Sequence, residues 1–186
     1  STAAKGRFAG DSDNDHAKIN HMSPDHIIRQ LTKHRHVFQH YLEGAIPPEY
    51  TWRMRPTAWC LLEIVSYLRD KEIEEIRSRV AHCLEQTGTP LPIDSDTWVQ
   101  ERPYLQGDYG TVLQDFLHAR DASIAWLGSL REPDWTLAYE APQEPRSAEF
   151  FLTNWLAHDY LYLRSITHLQ YHYLRVQQEP LGLTYA

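Results

Sequence analysis

Apolar residues recur along this chain at intervals of three and four in four long blocks, the pattern of helices that each bury one face. The first block follows Ser23-Pro24, a capping hydroxyl and then proline at the first helical position, and it runs to about Glu43, before Gly44. Its stripe is Ile27, Leu31, His34, Phe38 and Tyr41. A proline-bounded connector leads to Thr57, which caps a second block extending to about Gln86. That block turns Trp59, Leu61, Ile64, Leu68, Ile73, Ile76 and Val80 inward; it is long enough to span a domain, with room for a kink. The third covers about Thr111 to Leu130, with Leu113, Phe116, Ile124 and Leu127 inward and Arg120 on the same line. Ser147 caps the fourth, which runs to about Val176 and aligns Phe151, Trp155, His158, Tyr162, Ile166, Leu169 and Tyr173.

Two long connections separate these blocks. Thr89 to Gly110 holds Pro90, Pro92, Gly107 and Gly110, and within it Asp94 to Glu101 predicts a short helix capped by Ser95 or Asp96. Connections of this length are functional or carry their own packing, and Trp98 with Tyr104 supplies the second. Arg131 to Arg146 is a second link, rich in proline and glutamate. No stretch alternates with period two, and no Asn-Gly or Asp-Gly hairpin signal occurs. The expected fold is therefore all-α: a four-helix bundle over residues 23–178, with long connections between helices 2 and 3 and between helices 3 and 4. Residues 1–22 read as a polar tail and 179–186 as a C-terminal tail.

Composition narrows the classes. At 186 residues the chain has room for one domain with a proper core. No apolar run approaches the roughly 20 residues of a spanning helix, and the N-terminal stretch lacks a secretory pattern, so a cytoplasmic protein without membrane contact is expected. A formal charge of −7 argues against non-specific nucleic-acid binding, which needs clustered basic surface. The two cysteines, Cys60 and Cys83, would lie about 34 Å apart on one helix, far beyond disulfide reach. Cys60 stands near a helix start, but Trp59 and Leu61 beside it predict burial rather than reactivity.

The candidate chemistry lies on the inward faces. His158 and Tyr162 are one turn apart on the fourth helix, and Glu63 and Tyr67 share a face of the second. Histidine followed four residues later by a second donor is the helical geometry of a metal site. In order along the chain, Trp59-Cys60-Leu61-Leu62-Glu63-Ile64-Val65-Ser66-Tyr67-Leu68-Arg69-Asp70-Lys71-Glu72, Asp94 to Trp98, Phe116 to Arg120, Asp134-Trp135 and Leu156-Ala157-His158-Asp159 resemble the motifs of the DinB-like superfamily, also called YfiT-like metalloenzymes. The resemblance runs from about Ile27 to Ile166 and implies the bundle fold, with a divalent ion held by three histidines, one from helix two and two from helix four. Carried over by position, those sites are Tyr67, His158 and Tyr162, so only His158 is retained. It also implies relatives that are metal- and thiol-dependent transferases or isomerases.

Phenols titrate near pH 10 and ligate chiefly strongly acidic ions such as ferric iron. One imidazole with two phenols therefore predicts a hydrogen-bonded polar cluster in place of the metal, with a zinc or nickel site as the alternative. Glu63 would join this cluster or accept from His158. Arg120 either packs its stem and pairs with an acid such as Asp70 or Glu72, or recognises an anion at a pocket mouth. Asp159 points to another face and reads as a structural acceptor, while His168 with His172 and His36 with His40 read as solvated pairs. The expectation is a protein that binds a small molecule in a bundle pocket where the metal site is largely lost. The alternatives are a metal-dependent, in some relatives thiol-dependent, transferase or hydrolase, and a structural or regulatory homodimer. A homodimer is also the expected assembly.

Overall fold

Ser23 accepts a hydrogen bond from the His26 amide (3.3 Å) and opens helix α1, Pro24–Leu42. The computed structural model describes residues 22–86, 95–139 and 145–178; the predicted tails (all but Met22), residues 87–94 around the start of the long insertion and residues 140–144 lie outside the described residues. Gly44, at φ +83°, turns the chain out of α1 in a conformation that favours glycine. A one-turn helix α2, Pro47–Tyr50, occupies the proline-bounded connector.

The predicted second helix is present but not continuous. It starts at Leu61 rather than after Thr57, because the Cys60 amide donates to the Glu63 carboxylate (2.9 Å) and closes the first turn there. Helix α3 spans Leu61–Asp70, a π-helical segment follows over Lys71–Ile76, and α4 completes the rod over Arg77–Glu85. The wider turn changes which side chains face inward. Glu72 is 1% exposed, whereas Ile73, expected in the stripe, is 47% exposed. A similar correction applies at Tyr41, which is exposed while Leu42 takes the buried place.

The long insertion holds a 3₁₀ turn at Ser95–Thr97, a one-turn helix α5 at Trp98–Glu101 and another 3₁₀ turn at Tyr104–Gln106. Asp108 caps α6, Tyr109–Ser129, by accepting from the Thr111 amide at 2.9 Å. The link that follows is not wholly irregular, since β1 (Ala138–Tyr139) and β2 (Arg146–Ser147) pair antiparallel. Two residues are too few to show an alternating pattern. Ser147 accepts from the Phe150 amide (3.1 Å) and begins α7, Ala148–Gln178. No helix among the described residues is long and apolar enough to cross a membrane.

Together these helices form the expected four-helix bundle. α1 packs on α6 and α7, α3 packs on α6, and α4 packs on α7. Helix one thus stands diagonally opposite helix two, and α6 diagonally opposite α7, although each pair is consecutive along the chain. The interior has two apolar layers. One joins Phe38, Leu68, Phe116 and Ile166; the other joins Leu31, Ile76, Leu127, Leu152 and Trp155.

Between the layers lies a buried ionic cluster drawn from all four rods. Arg120 makes two bidentate pairs: Nε and Nη2 donate to Glu72 (3.0 and 3.0 Å), Nη1 and Nη2 to Asp159 (2.7 and 2.7 Å). His34 of α1 lies 3.1 Å from Asp159 Oδ2 through Nδ1, and Trp155 Nε1 donates to Glu72 at 3.1 Å. The rings of Phe38, Phe116 and Trp155 enclose the guanidinium at 5.7–5.8 Å. Burial opposes the charge on Arg120, but Asp159 and Glu72 outweigh it and raise its pKa. Burial likewise works against Asp159, yet Arg120 and His34 hold its carboxyl below the usual range.

Candidate functional site

Tyr67 comes from the last turns of α3, just before the π segment, and His158 and Tyr162 come from successive turns of α7. The three rings meet, with centroids 4.6 Å apart for His158–Tyr162, 5.5 Å for Tyr67–Tyr162 and 6.2 Å for Tyr67–His158. Trp59 closes one side, its ring 5.1 Å from that of Tyr67. Trp98 closes another at 6.2 Å. The long insertion is thereby packed over the site, and polar ties fix it there. Arg102 pairs with Asp70 and Glu74 and lies 4.0 Å over the Trp98 ring, while Tyr104 donates to Asp70 at 2.9 Å.

Hydrogen bonding divides the three residues. Tyr67 donates to Ser95 Oγ at 3.5 Å, while Tyr162 meets Tyr67 ring against ring. Burial first, and the Tyr67 neighbour second, push the Tyr162 hydroxyl well above its ordinary pKa. His158 meets the phenols through its ring faces and has no hydrogen-bond partner among the described residues. Desolvation, with Lys71 as the next cause, brings its pKa down to about 4, so the imidazole is neutral at physiological pH.

Glu63 and Arg120 stand elsewhere. Glu63 accepts from Arg53 (2.7 Å) and from the Cys60 amide, and it is committed to the start of α3 rather than to His158. Arg120 is 1% exposed with Glu72 and Asp159 on its guanidinium, which leaves it no open face for a solute anion. Asp159 occupies the buried acceptor position. Cys60 and Cys83 are both buried free thiols, and burial raises the pKa of each. Among the described residues no three His, Cys, Asp or Glu side chains assemble into an ion-holding group. The donor set at the triad positions is one imidazole and two protonated phenols, which does not fit a divalent cation.

A feature the sequence did not signal adjoins His158. A cavity of about 420 Å³ opens between the π segment with α4 and the first half of α7. Ile76, Phe151, Trp155 and Leu161 give it an apolar wall, and His158 forms one end. Lys71, Glu75 and Arg79 line it from successive turns, and Arg146 reaches it from β2. Lys71, Glu75 and Arg79 follow one another at i,i+4 spacing on one face of the rod, and the cavity they line is the space left between it and α7.

The lowered pKa of His158 has a measurable result. A histidine held neutral in the fold keeps its full stability above its unfolded pKa of about 6.5 and loses it as the pH falls towards 4. The loss should be on the order of 3 kcal/mol across that window, above the range where the depressed carboxylates Asp70, Glu75 and Asp159 begin to protonate. Urea unfolding of the wild type and of His158→Phe between pH 7 and 4.5 checks it. An unchanged pH slope in the variant would place the His158 pKa near its ordinary value.

No protein-family model matches this sequence, and no curated protein matches it. Among solved structures the fold is similar to YfiT from Bacillus subtilis, described as a probable metal-dependent hydrolase with an unusual four-helix bundle topology. The match has a TM-score of 0.69 at 18% identity and covers 90% of this chain and 93% of that one. The bundle is therefore of the YfiT type.

Proposed function

We propose that this protein binds a small organic molecule in the cavity beside His158, and that the divalent-metal centre of its structural relatives is not assembled in it. The observation that carries this reading is the state of His158: neutral, at the end of a cavity, with no hydrogen-bond partner among the described residues. A polar atom in such a place gains from a ligand that donates to it or accepts from it. The cavity volume is in the range of small-molecule sites. The phenols support the loss of metal, because burial pushes the Tyr162 hydroxyl further from the range in which a phenol offers an anionic oxygen.

N-phenyl-1-naphthylamine, a neutral fluorophore, tests this directly. It should bind saturably at one site, and Ala157→Trp, which introduces bulk at the exposed rim, should abolish the fluorescence gain while the protein stays folded. Protein prepared without metal-affinity purification should carry well under one equivalent of zinc, nickel or iron. Stoichiometric metal that disappears in His158→Ala would overturn the reading in favour of a metal-dependent enzyme.

A further inference from the structure

The charges around the cavity are not balanced. Among the described residues, three cations, Lys71, Arg79 and Arg146, line it against one carboxylate, Glu75. Glu75 is already used by two of them: Lys71 Nζ donates to it at 2.8 Å, and Arg79 Nε lies 3.1 Å from its other oxygen. Burial disfavours the charged form of Glu75, but the hydrogen bonds from Lys71 and Ser95 and the charges of Lys71 and Arg79 prevail and hold its carboxyl below the usual range. Arg146 is placed differently. Its guanidinium lies 5.0 Å over the Phe150 ring at the exposed rim, and it has no carboxylate partner among the described residues. The described lining thus carries an excess of positive charge next to an apolar wall, where charge is screened less than in open water. The rim is apolar as well as basic, since Phe150 is 41% and Leu161 51% exposed.

From this juxtaposition we infer that the ligand is an amphipathic anion: a molecule with an aromatic or aliphatic body and one acidic group, a carboxylate or sulfonate. The body lies along Trp155, Phe151 and Leu161. The acidic group lies at the rim under Arg146, with Lys71 at the inner end extending the positive field. Neutral molecules of the same shape gain the apolar contact alone, and cations are repelled. This assignment rests on the small-molecule reading above and adds the charge class of the ligand to it.

A matched pair of probes separates the two. 8-Anilinonaphthalene-1-sulfonate is N-phenyl-1-naphthylamine with one sulfonate added, so a difference in affinity reports the anion. The sulfonate should bind about tenfold more tightly than the neutral probe at low salt, with the advantage shrinking as ionic strength rises. Arg146→Gln, at an exposed side chain whose backbone strand pairing is untouched, should weaken the sulfonate about fivefold and leave the neutral probe unchanged. Lys71→Met should act in the same direction. If the neutral probe binds and the sulfonate shows no advantage, or if Arg146→Gln weakens both equally, the anion assignment is overturned while the cavity remains a binding site. If neither probe binds, both readings fall.

Discussion

Arg120→Met should lower the unfolding free energy by about 3–5 kcal/mol, because it leaves Glu72 and Asp159 buried without a counter-charge. A domain of this kind has about 5–15 kcal/mol in total, so the variant would be marginal at room temperature. The two carboxylates are 1% and 0% exposed, and neither can turn to water without opening the seam between the two apolar layers. The expected signature goes beyond the size of the loss. With the guanidinium gone, burial pushes the folded-state pKa of Asp159 above its unfolded value, so relative to the wild type the variant should gain stability as pH falls from 7 towards 5. The wild type goes the other way over that window, since the stabilisation held by neutral His158 is lost as pH falls below about 6.5, and that of Asp159 follows only at lower pH. Adding Glu72→Gln and Asp159→Asn to Arg120→Met should recover part of the loss. Urea titrations at two pH values decide it; a loss below 1 kcal/mol would mean that water enters the layer and the cluster is not sealed.

The double substitution Tyr67→His and Tyr162→His should create a zinc site where the wild type has phenols. Three imidazoles around one zinc, with nitrogens at about 2.0–2.1 Å, have ring centroids about 5 Å apart. The present rings are separated by 4.6–6.2 Å, close enough for side-chain rotation to converge the three nitrogens. Without metal the variant loses the Tyr67–Ser95 hydrogen bond and the packing of the two phenol rings and should be destabilised by about 1–3 kcal/mol. Zinc at a hundredfold excess over its Kd should then return about 2.7 kcal/mol. Calorimetric titration and thermal unfolding with and without chelator measure both quantities. A folded variant that takes up no zinc would show that the three positions share a neighbourhood but not a ligand geometry, and the carried-over triad would lose its meaning for this chain.

The bundle was legible in the sequence because its four stripes keep helical spacing nearly throughout and its caps are local. Ser23, Ser147 and Gly44 act where the residue types indicate. The π segment was not legible. Lys71-Glu72-Ile73-Glu74-Glu75-Ile76 reads as ordinary α-helix, and the wider turn answers to a demand from outside it: Glu72 must reach Arg120, a residue of another helix. Ile73 was assigned inward on periodicity and lost its place to that ion pair. The meeting of Tyr67, His158 and Tyr162 was foreshadowed by motif order, but not how their polar atoms are divided. Spacing along a helix says which residues are neighbours; whether a hydroxyl chooses another hydroxyl or an imidazole depends on angles fixed by Trp59, Trp98 and Ser95, which come from distant segments. The cavity had no sequence signature because it is the space left between two rods, and a mostly basic lining spread over residues 71–79 and 146 has no linear pattern.

The i→i+5 segment also acts as a phase setter for the helix that carries it. In a regular α-helix one residue more or less rotates everything downstream by about 100°. Forcing Lys71–Ile76 into regular α-helix without removing a residue would improve backbone regularity and swing α4 by about 100° about its own axis, whereas removing one residue along with the wide turn would leave α4 facing as it does now. With the swing, Val80 and Cys83 would leave the apolar layer they now occupy, and Arg79 would leave the cavity. The chain tolerates an irregular backbone there because the wide turn takes up one extra residue and keeps the inward faces of the two halves aligned.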